Sequence, residues 1–226
     1  LSNCGVDLRY LKRTQIPQGH AIIQVEPSGQ NCIFTYGGSN MAVSPEDIDE
    51  VFSHFDAGDY LLMQNEMSNL TYMLQAAVRR GLRIVLNVSP ISEEIMHVDL
   101  SGVDWLVVNE IECARMAGCE DPQEGYETLK QRYPELGILL TLGSAGSVSW
   151  KDGVEVRQCA YPVKAVDTTG AGDTYMGYFV GCLAQGMDRQ TAMQYASMAS
   201  AISVTRPGAA VSIPMMDEVR AAIEAL

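Results

Sequence analysis

The sequence predicts an α/β protein of three layers, a parallel sheet covered by helices on both faces. Short, near-continuous apolar runs such as "DYLLMQ", "RIVLNV" and "VDWLVVN" have strand length. A strand buried on both faces carries apolar residues at nearly every position. Amphipathic runs of helix length separate these stretches, and that alternation is the pattern of strand–helix units that build parallel sheets.

The elements follow in chain order. "HAIIQVEPSGQNCIFTYGG" holds two β-rich stretches around the turn cluster "PSGQN", which predicts a hairpin over residues 20–26 and 31–36. "SPEDIDEVFSHF" opens a helix with Ser44 as N-cap, Pro45 at the first helical position and acids in the first turn. "DYLLMQ" is a strand and "LTYMLQAAVRRG" a helix ended by Gly81. "RIVLNV" and "VDWLVVN" are strands, and "EIECARMAG" is a helix closed by Gly118. "EGYETLKQRY" is a helix and "GILLTLG" a strand. "SVSWKDGVEVRQC" is a second hairpin, turned at "KDG". Three helices complete the chain, over residues 173–185, 188–204 and 215–225, with no repeat or low-complexity tract.

With 226 residues, 47% hydrophobic and 19% charged, at a mean hydropathy of +0.01, the chain has material for one sizeable core. No apolar run approaches the roughly 18 residues of a membrane span. A formal charge of −13 and a pI of about 4.5 argue against nucleic acid or anionic lipid as partners. An anionic ligand must therefore be held by local dipoles or metal ions. Cys4, Cys32, Cys113, Cys119, Cys159 and Cys182 form no CxxC pair, and only three histidines are present, which argues against zinc. Scattered thiols without a signal peptide point to the cytoplasm. The sequence starts at Leu1 and reads as if it begins partway through a domain.

In open parallel sheets, ligands bind beyond the carboxyl ends of the strands. Here those ends are Gln64 to Glu66, Asn87, Asn109 to Glu112 and Thr141 to Gly146, mostly polar or small. The stretch "AVDTTGAGDTYMGYFVG" sets Gly170, Ala171 and Gly172 before a helix whose first turn begins near Asp173. Free N–H groups and the positive end of the dipole gather at a helix start, and glycines let a phosphate approach them. Asp173 beside that cradle can accept a proton from a hydroxyl. A base next to an anion pocket is the equipment for phosphoryl transfer to an alcohol. The same residues also describe an ordinary tight start to a buried helix, with Asp173 complementing the dipole. There is no Walker-type lysine motif, so backbone would have to bind any phosphate.

"DTTGAGDTYMGYFVG" resembles the C-terminal signature of the ribokinase-like (PfkB) carbohydrate kinases. "VVNEIE" resembles the family's Asn-x-x-Glu segment, "TLGSAG" its nucleotide loop and "AISVTRPGAAVSIP" its cation loop. "GGSNMAVSPEDI" and "LLMQNE" are similar to its ribokinase branch. The likeness covers essentially the whole chain and implies a Rossmann-like fold with a small β lid, of which residues 20–37 are a remnant. The family's N-terminal portion, with its first strand, much of the lid and a Gly-Gly sugar motif, has no counterpart. Residues 1–226 thus read as the kinase domain lacking that portion, with negligible kinase activity expected at this length.

By that resemblance Asp173 is the catalytic base, and Gly170, Ala171 and Gly172 form the anion hole. Asn109 and Glu112 contact phosphate and the Mg²⁺ shell, the latter through water. Thr141, Gly143, Ser144 and Gly146 hold the nucleotide, and Ser197 flanks the adenine. Glu66 binds sugar hydroxyls, while Ala21, Ile23 and Thr35 cover the sugar; Thr35 departs from the family's usual aliphatic residue. A K⁺ site is implied at Asp167, Thr169, Ser203, Arg206, Gly208 and Ser212, largely through main-chain oxygens. A buried carboxylate facing carbonyls freed around Pro207 and Gly208 calls for a cation, although Arg206 could neutralise Asp167 instead.

The implied activity is ATP-dependent phosphorylation of a sugar hydroxyl, D-ribose giving D-ribose 5-phosphate, in a homodimer formed through the lid. Kinases of nucleosides, ketohexoses or ketogluconate are alternatives, as is a non-catalytic sugar or nucleotide sensor, which would have no need of Asp173. A dehydrogenase fits poorly, since its glycine fingerprint follows the first strand. Simpler roles also stay open: Asn109 as a helix cap, residues 196–203 as close helix packing, Glu66 as a solvated acid, and Cys113 and Cys119 as core and surface thiols.

Overall fold

The computed structural model describes residues 5–25 and 31–226. The turn expected at "PSGQN" falls outside them apart from Asn31. Strands β1 (His20–Val25) and β2 (Asn31–Tyr36) pair antiparallel as the expected hairpin. A 3-10 turn over Gly38–Ala42 then leads into α1 (Pro45–Phe52). Ser44 and Asp47 close a reciprocal capping box at the start of α1, satisfying two helix-end donors at once.

The main sheet comprises β3 (Tyr60–Gln64), β4 (Arg83–Asn87), β5 (Trp105–Asn109), β6 (Gly137–Thr141), β7 (Ser147–Lys151) and β8 (Val154–Gln158). Spatial order follows chain order. β3 to β6 are parallel, joined by α2 (Leu70–Arg80), α3 (Glu93–Met96), α4 (Glu110–Ala117) and α5 (Pro122–Arg132). β7 and β8 run antiparallel, so the sheet is mixed rather than wholly parallel. The reason is connection length. Only five residues separate β6 from β7 and two separate β7 from β8, too few for a crossover. Asp152 and Gly153, at φ 53° and 76°, supply the left-handed pair of a tight hairpin turn.

The chain ends in α6 (Ala171–Ala184), α7 (Arg189–Ser203) and α8 (Met216–Glu224). Alternation along the strands sends successive side chains to opposite faces. Ile84, Leu86, Leu106, Val108, Ile138 and Leu140 pack against α1 to α5 on one face. Val85, Trp105, Val107 and Leu139 pack against α6 and α7 on the other. The second layer centres on Phe179, fully buried and edge-on to Trp105 with ring centroids 5.0 Å apart. Truncating a buried aromatic of this kind costs about 3–5 kcal/mol. α6 is thereby fixed with its N-terminus at the carboxyl edge of the parallel strands. At that edge Gln64 is registered against Asn87, and Asn109 against Thr141.

Candidate active site

α6 begins at the glycine turn. Gly170 takes φ 74° at the N-cap, a left-handed conformation that residues with a Cβ rarely adopt. Its carbonyl accepts the amide of Thr174 at 2.8 Å and the Thr174 hydroxyl at 2.9 Å, which locks the first turn. The amide of Ala171 donates to the Thr168 carbonyl at 3.2 Å. The amides of Gly170, Gly172 and Asp173 donate to no described residue. Three N–H groups are thus open at the positive end of a 14-residue helix. Of the expected cradle, Ala171 has its N–H occupied, while the amide of Asp173 joins the open set. Ser200 of α7 donates its hydroxyl to the Ala171 carbonyl at 3.2 Å, tying the turn to the helix behind it.

Ala171 and Gly172 of this turn line a cleft of about 490 Å³, within the roughly 300–1,000 Å³ usual for small-molecule sites. Thr141, Gly143, Ser144 and Gly146 form one wall, Ala171 and Gly172 the floor, and Ser197 part of another wall. The loop after β6 can bend this tightly because of Gly146. It sits at φ 100°, and a Cβ there would lie 2.1 Å from the Gln158 carbonyl oxygen. Gly172 differs: a Cβ added to it would meet nothing within 4 Å. Its lack of a side chain therefore leaves the cleft floor open and serves no packing need. Ser197 is buried and its hydroxyl donates to the Cys159 carbonyl at 3.1 Å. Sequence reasoning missed the remaining wall, Ala160 to Val163 and Ala165, together with Thr168, Tyr175, Ala201 and Val204. That wall is an aperiodic loop, which carries no pattern to read. Burial pushes the Tyr175 phenol up to about 12, and its hydroxyl stays neutral against Ser147 Oγ at 2.7 Å.

Asp173 is exposed at the start of α6, and its Oδ1 accepts Gln64 Nε2 at 2.7 Å. Glu66, two residues beyond β3, is exposed and has no hydrogen bond to a described residue. Asn109 and Glu112 form a capping box at the start of α4, each accepting the other's amide at 2.9 Å. Glu112 is only 7% exposed, and its second oxygen accepts the Ser89 hydroxyl. Both of its oxygens are therefore engaged within the protein. Ala21 and Thr35 face each other across the hairpin and are exposed. Ile23 is registered against Ile33, and its side chain lies outside the described ones.

Asp167 is clasped rather than bare. Oδ1 accepts the Thr169 amide at 2.9 Å and Oδ2 the Gly208 amide at 2.8 Å. The Thr169 side chain first, and then these amides, hold its carboxyl below the usual carboxylate range. Arg206 pairs with Glu218, so it does not neutralise Asp167. The Ser203 carbonyl accepts the Arg206 amide at 3.1 Å. The carbonyls of Thr169, Arg206, Gly208 and Ser212 accept no hydrogen bond from a described residue, so they are available to a cation. Among the described residues no three acidic, histidine or cysteine side chains gather as a metal cluster. Burial pushes the Cys113 thiol up to about 12, leaving it inert, and Cys119 is half-buried rather than on the surface. No helix among the described residues is long and apolar enough to cross a membrane.

Known proteins share this fold. The model of the pfkB family carbohydrate kinases matches residues 1–216. The ribokinase of Staphylococcus aureus is 32% identical over 224 residues, covering 95% of this chain and 73% of that protein. A crystal structure of the Thermotoga maritima ribokinase superposes with a TM-score of 0.80 at 31% identity, covering 94% of this chain and 72% of that one. The Arabidopsis thaliana ribokinase, in complex with ribose and ATP, gives 0.77 at 27% identity, with 93% and 70% covered. The chain belongs to the pfkB family of carbohydrate kinases.

Proposed function

We propose that the protein transfers the terminal phosphoryl group of ATP to a sugar hydroxyl, with D-ribose as acceptor and D-ribose 5-phosphate and ADP as products. One observation carries the reading: an exposed carboxylate and three open N–H groups share the start of one helix, and that start borders a cleft of small-molecule size through Ala171 and Gly172. In the reaction Asp173 accepts the hydroxyl proton as the oxygen attacks the γ-phosphorus. The bond to the bridging oxygen breaks toward ADP. The amides of Gly170, Gly172 and Asp173 stabilise charge on the transferring oxygens, where a preformed dipole array needs no reorganisation. Asn109 and the water-linked Glu112 would hold Mg²⁺ against the phosphates, and that ion would offset their charge. The ribose complex of the Arabidopsis relative supports the choice of sugar. A screen of pentoses, hexoses and nucleosides for ADP release tests it, run on a protein that also carries the family's N-terminal portion, and ribose should give the highest kcat/KM.

Glu66 bears on the acceptor alone. It lies off the cleft, with its carboxylate open to sugar hydroxyls. In a full-length protein, Glu66→Ala should raise KM for the sugar about tenfold or more, the scale of a lost charge-assisted hydrogen bond. KM for ATP should hardly move. Equal effects on both would make Glu66 structural.

Monovalent cations should accelerate the reaction. The open carbonyls of Thr169, Arg206, Gly208 and Ser212 beside Asp167 supply hard oxygen donors of the kind an alkali ion takes. Ser203 would join them by releasing its turn hydrogen bond. Bound there, K⁺ would order the turn that carries the open amides, raising kcat more than sugar affinity. Rates of the full-length enzyme in K⁺, Na⁺ and tetramethylammonium at matched ionic strength provide the check, and equal rates in all three would remove the site.

A further inference from the structure

We propose that Gln64 is a positioning residue for Asp173, a role that rests on Asp173 being the base. Gln64 closes β3, and Asp173 lies 109 residues further on, in the first turn of α6. Their side chains meet at 2.7 Å, Nε2 donating to Oδ1. An ionised carboxylate only accepts hydrogen bonds, so the amide must present its NH₂ and not its oxygen.

A carboxylate needs such a partner. The torsion about its last bond is broad, so an aspartate in water spreads its two oxygens over a wide arc. A base must meet the hydroxyl proton at hydrogen-bond distance and along a narrow direction. With Oδ1 tied to Gln64, Oδ2 is left for the substrate and its direction is set.

Gln64 is itself held. Its register partner is Asn87 on the neighbouring strand. The next residue, Asn65, donates its amide to the Ser89 carbonyl at 3.0 Å and its side chain to the Pro90 carbonyl at 2.6 Å. The strand end is therefore anchored next to the glutamine, and Gln64 itself remains half-buried. Nothing in the capping or packing of β3 requires an amide at this position. Its hydrogen bond to Asp173 is the only one its side chain makes to a described residue.

The test is a double-mutant cycle of Gln64→Leu and Asp173→Asn, read as kcat and as KM for sugar and for ATP. Gln64→Leu keeps the bulk and removes the donor. It should lower kcat roughly tenfold, the scale of one hydrogen bond to a charged group, with both KM values within about twofold. Gln64→Glu should lose more, because two carboxylates would face each other at hydrogen-bond distance. In the Asp173→Asn background, where no base remains to be oriented, Gln64→Leu should have no further effect. Unchanged kcat in Gln64→Leu, an equal loss in both backgrounds, or a rise in sugar KM matching the fall in kcat would each overturn the positioning role. An Asp173→Asn enzyme as fast as the wild type would instead remove the base itself.

Discussion

Asp173→Asn is expected to lower kcat by 10²–10⁴-fold, the range typical of a lost general base, while leaving the affinity for ATP nearly intact. The substitution is close to isosteric. Asparagine still offers Gln64 an acceptor and still sits at the open end of α6, so only the capacity to take a proton is lost. The nucleotide cleft is lined by residues other than Asp173, which is why binding should survive. Steady-state kinetics together with calorimetric titration of ADP would read both quantities. A variant within about threefold of wild type would reduce Asp173 to an acid that complements a helix dipole.

The second large effect is expected at Gly172, and it pulls stability and binding in opposite directions. A Cβ at this position meets nothing within 4 Å, so Gly172→Asp enters the fold without a clash. In the first turn of α6 a negative charge complements the dipole, and replacing a helical glycine lowers the entropy lost on folding. The unfolding midpoint should hold steady or rise by a few degrees. The same carboxylate would project over the cleft floor, beside the open Gly172 amide that would face phosphate in the proposed reaction. Two like charges about 4 Å apart near a protein surface repel by about 4 kcal/mol, so ADP affinity should fall at least 100-fold. Thermal melting and calorimetry on one preparation decide the matter. Undiminished ADP binding would mean that phosphate lies elsewhere.

Much of this was legible in the residues because its signals are local. Ser44 and Pro45 announce a helix start through their own chemistry, and Gly81 and Gly118 announce helix ends, whatever lies around them. Strand runs such as 83–87 are buried on both faces and so carry their own signature. Elements that depend on distant contacts were harder. The four-residue helix Glu93–Met96 is too short to show a period, although Ser92 caps it. The antiparallel turn-back of β7 follows from a five-residue connection, which the pattern of apolar runs does not weigh. At the site, the glycine turn and Asp173 stood out because their residue types are themselves the chemistry. The 160–165 wall and the contact between Gln64 and Asp173 did not. Each exists only once the sheet brings separate stretches to one edge. Asp167 shows the intermediate case: the carboxylate and the loop were both readable, yet which donors it accepts was settled by the two amides that reach it.

The cleft is lined entirely by residues between Thr141 and Val204. One uninterrupted stretch of polypeptide therefore encodes the whole cavity, while Gln64, Glu66 and the β1–β2 hairpin belong to an earlier stretch. Such a division has a hereditary consequence. Changes in the first 136 residues can accumulate without touching a single wall of the cavity, and a recombination crossover near Gly137 would pass it on intact.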